Sequence, residues 1–241
     1  ITFTESGLSS GTSWSVTLNN ITKSSTNGTI IFNEPNGSYS YTIITPINGS
    51  TGIRYVTLIP SGTTIVNGAN VTIDVSYETQ YYLTMIASPA NGGSVNPING
   101  WYNAGSSVTI NAIPNSNFEF ISWTGTGNGS YYGTSIQVSI TMNGPITEQA
   151  NFIELFQVTF TETGLPAGTT WYVNLSNGQS YSSSNNTITF NEPNGTYSYT
   201  VATNSKEYAS KQYSGSFIVN GATISESITF NLVTYKITFT E

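Results

Sequence analysis

The feature that most constrains this chain is a repeated pentapeptide. The sequence Ile-Thr-Phe-Thr-Glu occupies residues 1–5, returns unchanged at residues 237–241, and has a near copy, Val-Thr-Phe-Thr-Glu, at residues 158–162. A motif that opens one block, opens a second and then starts again is typical of a tandem array. The spacing of 236 residues between Ile1 and Ile237 is therefore interpreted as the period of a longer repetitive protein.

The residues that follow two of these copies also correspond to each other. Trp14 is matched by Trp171 and Tyr39 by Tyr197, and the small shifts between the copies fall in predicted loops, where homologous modules tolerate insertions. The sequence thus predicts three modules and a tail. They are module A1 at residues 1–79, module B at residues 80–155, module A2 at residues 156–233, and residues 234–241, which are the first strand of a following module or a strand donated to a neighbour.

Composition and periodicity predict an all-β fold of three tandem small β domains. Only 7% of the residues are charged, and the chain is rich in β-branched and aromatic residues, which suit a pleated surface, and in Asn and Gly, which suit tight turns. Module A1 has seven short alternating segments, at residues 1–5, 13–18, 29–32, 38–43, 54–59, 63–66 and 71–77. Seven such strands predict an immunoglobulin-like sandwich. The block is short for one, so an edge strand is expected to be missing or supplied from elsewhere.

Module B has a different pattern, with strands predicted at residues 81–86, 107–112 and 135–142 and a turn that carries aromatic side chains at residues 100–105. Its spaced motifs include Gly92-Gly93-Ser94-Val95, Gly100-Trp101-Tyr102, Ala112-Ile113-Pro114, Phe118-Glu119-Phe120 and Ala150-Asn151-Phe152. This series resembles the divergent InlB B-repeat module of bacterial and archaeal surface proteins. The resemblance implies a compact spacer of β-grasp type, with the aromatic residues as core and no catalytic residues.

Modules A1 and A2 share a second set of motifs, seen in A2 at residues 161–166, 168–171 and 193–197. These motifs resemble repeats of archaeal exported proteins, some next to thermopsin-like acid proteases and some in surface filaments or layers. The resemblance implies that the flanking modules belong to an exported protein.

The charged residues argue against several classes of function. The net charge is -7, with four Lys and one Arg, so no basic surface is predicted for nucleic acid or for an anionic membrane. No apolar run reaches the roughly 18 to 20 residues that span a bilayer. His and Cys are absent and Asp74 is the only Asp, so the usual groups of hydrolases and metal sites are missing. The sequence predicts no enzyme activity and no cofactor.

Nine Asn-x-Ser/Thr sequons predict N-linked glycans on an exported surface, with chance occurrence in a chain rich in Asn, Ser and Thr as the alternative. The candidate acceptors are Asn20, Asn27, Asn36, Asn48, Asn70, Asn128, Asn174, Asn185 and Asn194. Scarce charge and the absence of His and Cys would also suit an acidic or hot exterior.

Two pairs of glutamates recur at equivalent positions. Glu5 and Glu162 follow the first strand, and Glu34 and Glu192 lie in the Asn-Glu-Pro-Asn-Gly turn. Their carboxylates are interpreted as acceptors of backbone N–H groups that fix turns, with a calcium ligand or an interface contact as the alternative.

The aromatic residues allow two interpretations. Trp14 and Trp171 begin alternating segments, so they are predicted to lie in the core and not on a sugar-binding platform. The pairs Tyr81-Tyr82 and Tyr131-Tyr132 must each turn one ring outward if they lie on strands, which makes them better candidates for contacts with a ligand or a neighbour.

The sequence supports two hypotheses about function. The first is a structural repeat segment of an extracellular or cell-surface fibre, stalk or layer, with adjacent repeats or copies of the chain as partners. Strand addition is a specific variant of this hypothesis, and its candidate assembly strand is Ile237, Thr238, Phe239, Thr240 and Glu241. The alternative is an adhesin or a carbohydrate-binding accessory region of a secreted enzyme, which predicts an exposed aromatic patch in both A modules.

Overall fold

A computed structural model describes residues 1–210 and 213–239 of the chain. The predicted all-β fold is confirmed, because the regular structure of the described residues consists of strands alone. None of these residues forms a helix that is long and apolar enough to cross a membrane. The chain folds into two compact units, residues 1–113 with 120–152 and residues 114–119 with 153–241, and each is described by itself.

Module A1 lies in the first unit and is a sandwich of two sheets. Its strands are β1 (Thr2–Ser6), β2 (Trp14–Leu18), β3 (Ile21–Ser25), β4 (Thr29–Ile31), β5 (Gly37–Ile43), β6 (Ile47–Asn48), β7 (Ile53–Thr57), β8 (Ser61–Val66) and β9 (Thr72–Ser88). One sheet has the order β3-β2-β5-β8. The other has the order β4-β1-β9-β7-β6.

The expectation that an edge strand of A1 is absent or comes from elsewhere is wrong. Strand β3 pairs with β2 at the edge of its sheet, with Val16 opposite Lys23. Four of the five residues of β3 are exposed, so the segment has no alternation of apolar and polar residues. Sequence periodicity finds a strand only when one face is buried, and here neither face is.

The core of A1 is built from residues that alternate along the strands as predicted. Trp14, Val16 and Leu18 of β2 point inward and are buried together with Phe3 of β1. Trp14 is 1% exposed and its counterpart Trp171 is 0% exposed, which confirms both as core residues. Burying each large apolar side chain contributes roughly 1.5 to 3 kcal/mol, so these positions dominate the stability of the sandwich.

Module B uses the second half of β9 and adds seven strands. They are β10 (Gly93–Asn96), β11 (Gly100–Asn103), β12 (Ser107–Pro114), β13 (Phe118–Thr126), β14 (Tyr132–Gly133), β15 (Gln137–Thr141) and β16 (Ile146–Thr163). One sheet has the order β14-β13-β16-β9-β11 and the other the order β10-β12-β15. The turn predicted at residues 100–105 is partly wrong, because β11 pairs with β9 over residues 100–103 and the turn begins only at Ala104.

Module A2 lies in the second unit and repeats the strand order of A1, without a counterpart of β6 among the described residues. It uses the second half of β16 and adds β17 (Trp171–Leu175), β18 (Ser180–Ser183), β19 (Thr187–Pro193), β20 (Gly195–Thr203), β21 (Tyr208–Ser210), β22 (Ser214–Val219) and β23 (Ile224–Leu232). The sheets are β18-β17-β20-β22 and β19-β16-β23-β21. The internal repeat seen in the sequence is therefore a repeat of the fold.

Candidate functional site: the strands at the module ends

The first and last strands of each module lie side by side and run parallel. The paired segments are residues 2–6 with 72–76 in A1, residues 83–88 with 146–151 in B, and residues 158–163 with 224–229 in A2. Strand β9 is thus the last strand of A1 and the first strand of B. In the same way β16 contributes the last strand of B and the first strand of A2.

These paired strands occupy the interior of their sheets. In A1, β1 lies between β4 and β9, and β9 pairs with β7 over residues 77–81, directly after this ladder. In A2, β16 lies between β19 and β23, and β23 pairs with β21 over residues 230–232, directly after its ladder. In B, β9 lies between β11 and β16. The first strands β1 and β16 are therefore hydrogen-bonded on both sides within the ladders of A1 and A2, whereas the second partners of β9 and β23 pair just beyond the parallel register.

Side chains reinforce each face of these ladders. In A1 the inward residues Phe3 and Val75 are buried. On the outward face the hydroxyl of Thr4 donates to the carboxylate of Asp74. In A2 the hydroxyls of Thr163 and Thr229 lie 3.3 Å apart across the parallel pair. Each ladder thus has apolar packing on one side and polar cross-strand contacts on the other.

A glycine follows the pentapeptide in both A modules because the backbone there has no room for a side chain. Gly7 has a φ of +95° and Gly164 a φ of +102°, a region that L side chains rarely adopt. A Cβ at Gly7 would overlap the carbonyl oxygen of Tyr77, and a Cβ at Gly164 would overlap that of Phe230. The glycine lets the chain turn directly over the last strand of the module.

The glutamate that ends the pentapeptide has the predicted turn-fixing role in A2. The carboxylate of Glu162 accepts a hydrogen bond of 3.2 Å from the backbone N–H of Leu165. In A1, burial together with the nearby Glu5 carboxylate raises the pKa of Tyr77 to about 12. The neutral Tyr77 hydroxyl donates to the carbonyl oxygen of Ile44 at 3.0 Å, which ties β9 to the end of β5.

The turn-fixing role predicted for Glu34 and Glu192 falls to neighbouring residues. Among the described residues, neither carboxylate accepts a hydrogen bond from a backbone N–H group, and Glu192 instead accepts the hydroxyl of Tyr181 at 3.2 Å. Burial raises the pKa of Glu192. The side-chain oxygens of Asn36 and Asn194 accept the N–H groups of Gly68 and Gly221, each at 2.7 Å. The asparagines of the repeated turn therefore join it to the loop before the last strand.

A tyrosine completes the same turn in both A modules. The hydroxyl of Tyr39 donates to the carbonyl oxygen of Pro35 and that of Tyr197 to Pro193, each at 2.8 Å. A tyrosine that bonds back to the backbone a few residues upstream is a feature of immunoglobulin-like sandwiches. The turn Asn-Glu-Pro-Asn-Gly followed by Tyr is therefore a structural motif of the sandwich.

No metal site is formed from the carboxylates in the part of the chain that the structure describes. No three His, Cys, Asp or Glu side chains lie together there in a group that could hold a metal ion. In module B, Glu148 is fully buried and accepts the N–H of Tyr131 at 2.6 Å. Burial raises the pKa of Glu148. These carboxyl groups are dispersed through the fold and each serves its own local contact.

Within the first unit, A1 and B are joined by a network around the single arginine of the chain. Arg54 donates to the side-chain oxygen of Gln80 at 2.7 Å, and its guanidinium lies 4.6 Å from the ring centroid of Trp101. Gln80 donates onward to Asn103 at 2.8 Å, and Asn103 donates to Glu78 at 3.0 Å. Sequence reasoning missed this network, because its members are far apart in the chain.

The same joint contains a cleft of about 360 Å³. Tyr82 and Trp101 meet in it edge to face with their ring centroids 5.0 Å apart. The lining residues are Thr51, Gly52, Tyr82, Thr84, Trp101, Thr126, Gly127, Pro145, Ile146 and Thr147. Tyr82, one of the tyrosines predicted to face outward, therefore lines a cleft, whereas Tyr132 is 80% exposed. Aromatic walls with a few hydroxyl groups are typical of small-ligand sites.

The aromatic patch that the carbohydrate hypothesis predicts in both A modules is not formed. Tyr213 of A2 is 67% exposed, whereas every aromatic side chain of A1 is buried or half-buried. The cleft at the joint, which belongs to one A module and module B, is the aromatic surface that the structure offers instead.

The predicted sequons lie on the surface but differ in their surroundings. Eight of the nine asparagines are exposed and Asn174 is half-buried. Asn36 and Asn194 hold the turns described above, and the side-chain oxygen of Asn174 accepts the hydroxyl of Ser180 at 2.6 Å. The backbone carbonyl groups of Asn27 and Asn185 accept the indole N–H groups of Trp14 and Trp171, each at 2.8 Å. Glycosylation of these sites stays a prediction.

The candidate assembly strand is only partly described. Ile237, Thr238 and Phe239 are exposed, Phe239 by 92%, and they form no strand in the structure. Thr240 and Glu241 lie outside the described residues. An exposed segment with alternating Ile and Phe is compatible with pairing to an open sheet edge, and that pairing stays a prediction.

Comparison with known proteins places module B in a described family. Residues 81–154 match the divergent InlB B-repeat domain, which confirms the resemblance noted for residues 80–155. The sequence signal behind it is the series of spaced aromatic and glycine positions. Phe152 of that series is a buried core residue, as the resemblance implies, and Trp123 of β13 is buried as well. No curated protein matches the chain.

Several solved structures share a distant likeness with the chain. The major pilin subunit BcpA of Bacillus cereus is 10% identical, with 97% of this chain and 99% of that chain covered and a TM-score of 0.36. The TIE protein of Bacillus anthracis is 13% identical, with 95% of this chain and 50% of that chain covered and a TM-score of 0.31. The chain thus spans half the length of the latter. These scores are too low to identify a function.

Proposed function

We propose that the chain is a structural segment of an extracellular fibre, stalk or surface layer, in which modules are joined without flexible linkers. The observation that supports this most directly is strand β9, which closes A1 and opens B as one strand from Thr72 to Ser88. The boundary predicted after residue 79 falls inside it. A spacer keeps its length only if its modules cannot swing, and a shared strand removes the hinge.

The contacts around β9 make this joint specific. Strand β7 of A1 continues its pairing across the boundary as far as Ile53 opposite Tyr81. Gly52 lies so close to Pro145 of module B that a Cβ would come within 2.7 Å of the proline ring. The only arginine of the chain lies in this joint, bonded to Gln80 and stacked on Trp101. Few charges are available in this sequence, and their placement here supports a role for docking between modules.

The finer parts of the proposal concern partners and location. The partners are adjacent repeats or other copies of the chain, joined by covalent continuation or by addition of the strand at residues 237–241 to a neighbouring sheet edge. N-linked glycans on the exposed sequons would cover the surface, as suits an exported protein. In this proposal, modules A1 and A2 are repeats of the kind found in archaeal exported proteins. The role requires no catalytic group.

Localisation in the source organism tests the proposal. Antibodies raised against the whole chain are used for immunogold labelling of intact cells and of isolated extracellular filaments or surface layers. We expect label on an extended surface structure and resistance of the chain in that structure to mild protease. Label confined to the cytoplasm, with none outside the cell, would refute the proposal. An antibody against a cytoplasmic protein serves as the control for cell lysis.

The rigidity of the A1–B joint is tested by distance measurements between spin labels. The chain has no cysteine, so Ser40→Cys in A1 and Ser107→Cys in B provide two unique labelling sites, both exposed. We expect a narrow distance distribution that broadens when Gly-Gly-Ser is inserted after Glu78. The same insertion after Gly68, in an exposed turn of A1, should leave the width unchanged. A broad distribution in the unmodified chain would contradict the linker-free joint.

A second candidate function is glycan binding, and the cleft beside Trp101 favours it. A sugar can place its C–H face on an aromatic ring and its hydroxyl groups near the threonines of the wall. A glycan array with the full chain tests this candidate. Binding that is lost in Trp101→Ala but kept in Tyr132→Ala, an exposed ring away from the cleft, would support it. Absence of binding to any glycan would remove it and leave the structural proposal intact.

A further inference from the structure

We infer that each module is a mechanical clamp in which force along the chain loads a parallel β-ladder in shear. This inference deepens the proposed structural role and rests on it. It assigns a function to a feature that the sequence did not reveal, which is the parallel pairing of the first and last strands in every module.

The geometry of a parallel pair sets the direction of the load. Force enters a module at the amino end of its first strand and leaves at the carboxyl end of its last strand. In a parallel pair these two points lie at opposite ends of the ladder, so the strands are pulled past each other along their axis. An antiparallel pair would place both points at one end, and its hydrogen bonds would then break one after another.

The clamps in the described part of the chain are of similar length. The parallel register covers five residue pairs in A1, six in B and six in A2. Because the hydrogen bonds of a parallel ladder are evenly spaced, a shear force is shared among all of them. The net contribution of one such bond to stability is modest, but several must break together before the strands can slide.

Side-chain packing blocks gradual sliding of the strands. Side chains alternate between the two faces with a period of two, so a slip of one residue would turn the buried face outward. In A1 that slip would expose Phe3, and in A2 it would expose Phe160, both of which are 0% exposed. The smallest slip that restores the pattern is two residues, or about 6.6 Å, which breaks every bond of the ladder at once.

Further strands hold both members of the clamp in A1 and A2. Strand β1 is also held by β4, and β9 by β7, so extraction of either strand disrupts a second ladder. In A2, β19 holds β16 within the ladder and β21 holds β23 at residues 230–232, directly after it. Forced unfolding is governed by the unfolding rate, so a barrier built from bonds that break together is the relevant quantity.

Single-molecule force measurements on the full chain test the inference. Because the chain has no cysteine, one variant carries three orthogonal handles, namely a tag before residue 1, a tag after residue 241, and Asn70→Cys. Asn70 is exposed and precedes Val71, whose carbonyl oxygen accepts the N–H of Thr2. Pulling between the two ends loads the A1 ladder in shear, whereas pulling between residues 1 and 70 peels the same ladder from one end.

We expect the A1 unfolding force to be roughly threefold higher in shear than in peeling, since several hydrogen bonds break together in the first geometry and singly in the second. The A1 event is identified with Thr4→Cys and Asp74→Cys, whose side chains face each other across the ladder. A disulfide there encloses a separation of 70 residues and should shorten the unfolded length by roughly 230 to 250 Å. Reductant should restore the full length.

The outcomes separate this inference from the proposed function. Equal forces in the two geometries would refute the clamp, while surface labelling of the source organism would still support the structural role. An A1 event that keeps its force and its full unfolded length in the oxidised Thr4→Cys, Asp74→Cys variant would refute the assignment to β1 and β9. Intracellular label with a high shear force would refute the proposed function alone.

Discussion

Modules A1 and A2 share one fold but cover the same core phenylalanine with different side chains. In A1, the ammonium group of Lys23 lies 4.8 Å from the ring centroid of Phe32 and donates to the carbonyl oxygen of Ile31 at 2.8 Å. In A2, the equivalent residue is Tyr181, which stacks on Phe190 with centroids 4.0 Å apart. The repeat therefore keeps the shape of the site and changes its chemistry.

The surroundings of the neighbouring glutamate also differ between A1 and A2. Tyr181 donates to Glu192, which is 2% exposed, whereas Glu34 in A1 is half-buried and has no tyrosine at the equivalent position. Burial raises the pKa of Glu192, and burial together with the Glu192 carboxylate raises the pKa of Tyr181 to about 12. One substitution at an edge strand thus gives A2 a titrating pair that A1 lacks.

The largest effect is expected from substitution of the glycine that follows the pentapeptide in both A modules. Gly7→Ala and Gly164→Ala each force a Cβ onto a carbonyl oxygen at a positive φ, so each should destabilise its own module by about 3 kcal/mol. Amide hydrogen exchange resolved to the strands of A1 and A2 measures the loss. Gly11→Ala has a positive φ but open space and should cost only about 1 kcal/mol. A mild effect at only one of the two glycines would break the equivalence of the modules.

The next largest effect concerns the side chain that covers the core phenylalanine, which differs between A1 and A2. Tyr181→Ala removes a half-buried ring that stacks on Phe190, and we expect a loss of about 2 kcal/mol in A2. Lys23→Ala removes an exposed cation–π contact and should cost A1 less than about 1 kcal/mol. Denaturant unfolding followed through the tryptophan of each module measures both. Equal losses of stability would show that Lys23 and Tyr181 stabilise their modules to the same extent.

The tyrosine of the repeated turn should again affect both modules alike. Tyr39→Phe and Tyr197→Phe each delete a hydroxyl that donates to a proline carbonyl at 2.8 Å. We expect each substitution to cost about 1 kcal/mol, the net worth of one hydrogen bond. Ser40→Ala and Ser198→Ala, which alter the exposed face of the same strands, are the matched controls. Loss of stability in the controls but not in the tyrosine variants would contradict the role of this bond.

The smallest effect is a difference in pH dependence. Because the pKa of Glu192 is raised in the folded state, the folded module binds this proton more readily than the unfolded chain does. The stability of A2 should therefore rise as pH falls from 7 through the pKa of Glu192 to about 4, where the unfolded carboxyl group is also protonated. Glu192→Gln should remove this rise. An unchanged profile in Glu192→Gln would assign the rise to other groups.

Much of the fold could be predicted from local sequence, and the misses have local causes. The strands that carry Trp14 and Tyr41 were predicted because their buried residues alternate with polar ones. Strand β3 was missed because it is exposed on both faces. The uninterrupted length of β9 had a signal, since residues 71–88 contain no Gly, Pro or Asn to end a strand. The module boundary predicted at residue 79 had no such punctuation.

The candidate site was harder to predict, because it consists of pairings between distant residues. Parallel partners such as Thr4 and Asp74 are 70 residues apart, and no local pattern states which strands pair or in which direction. The contact of Arg54 with Trp101 depends on the same long-range register. The glutamates show that similar local sequence does not fix the surroundings of a side chain. Glu34 and Glu192 have the same neighbours in sequence and different surroundings in space.

The sequence by itself determined the all-β class, the internal repeat, the burial of Trp14 and Trp171 and the turn after the pentapeptide in both A modules, because these follow from side-chain periodicity and turn chemistry within a few residues. Only the tertiary structure decided that the pentapeptide strand lies parallel to the last strand of its module and that A1 passes into B within one strand. Those features depend on backbone hydrogen bonds between segments far apart in the chain, and the direction of such bonds is set when the whole sandwich closes.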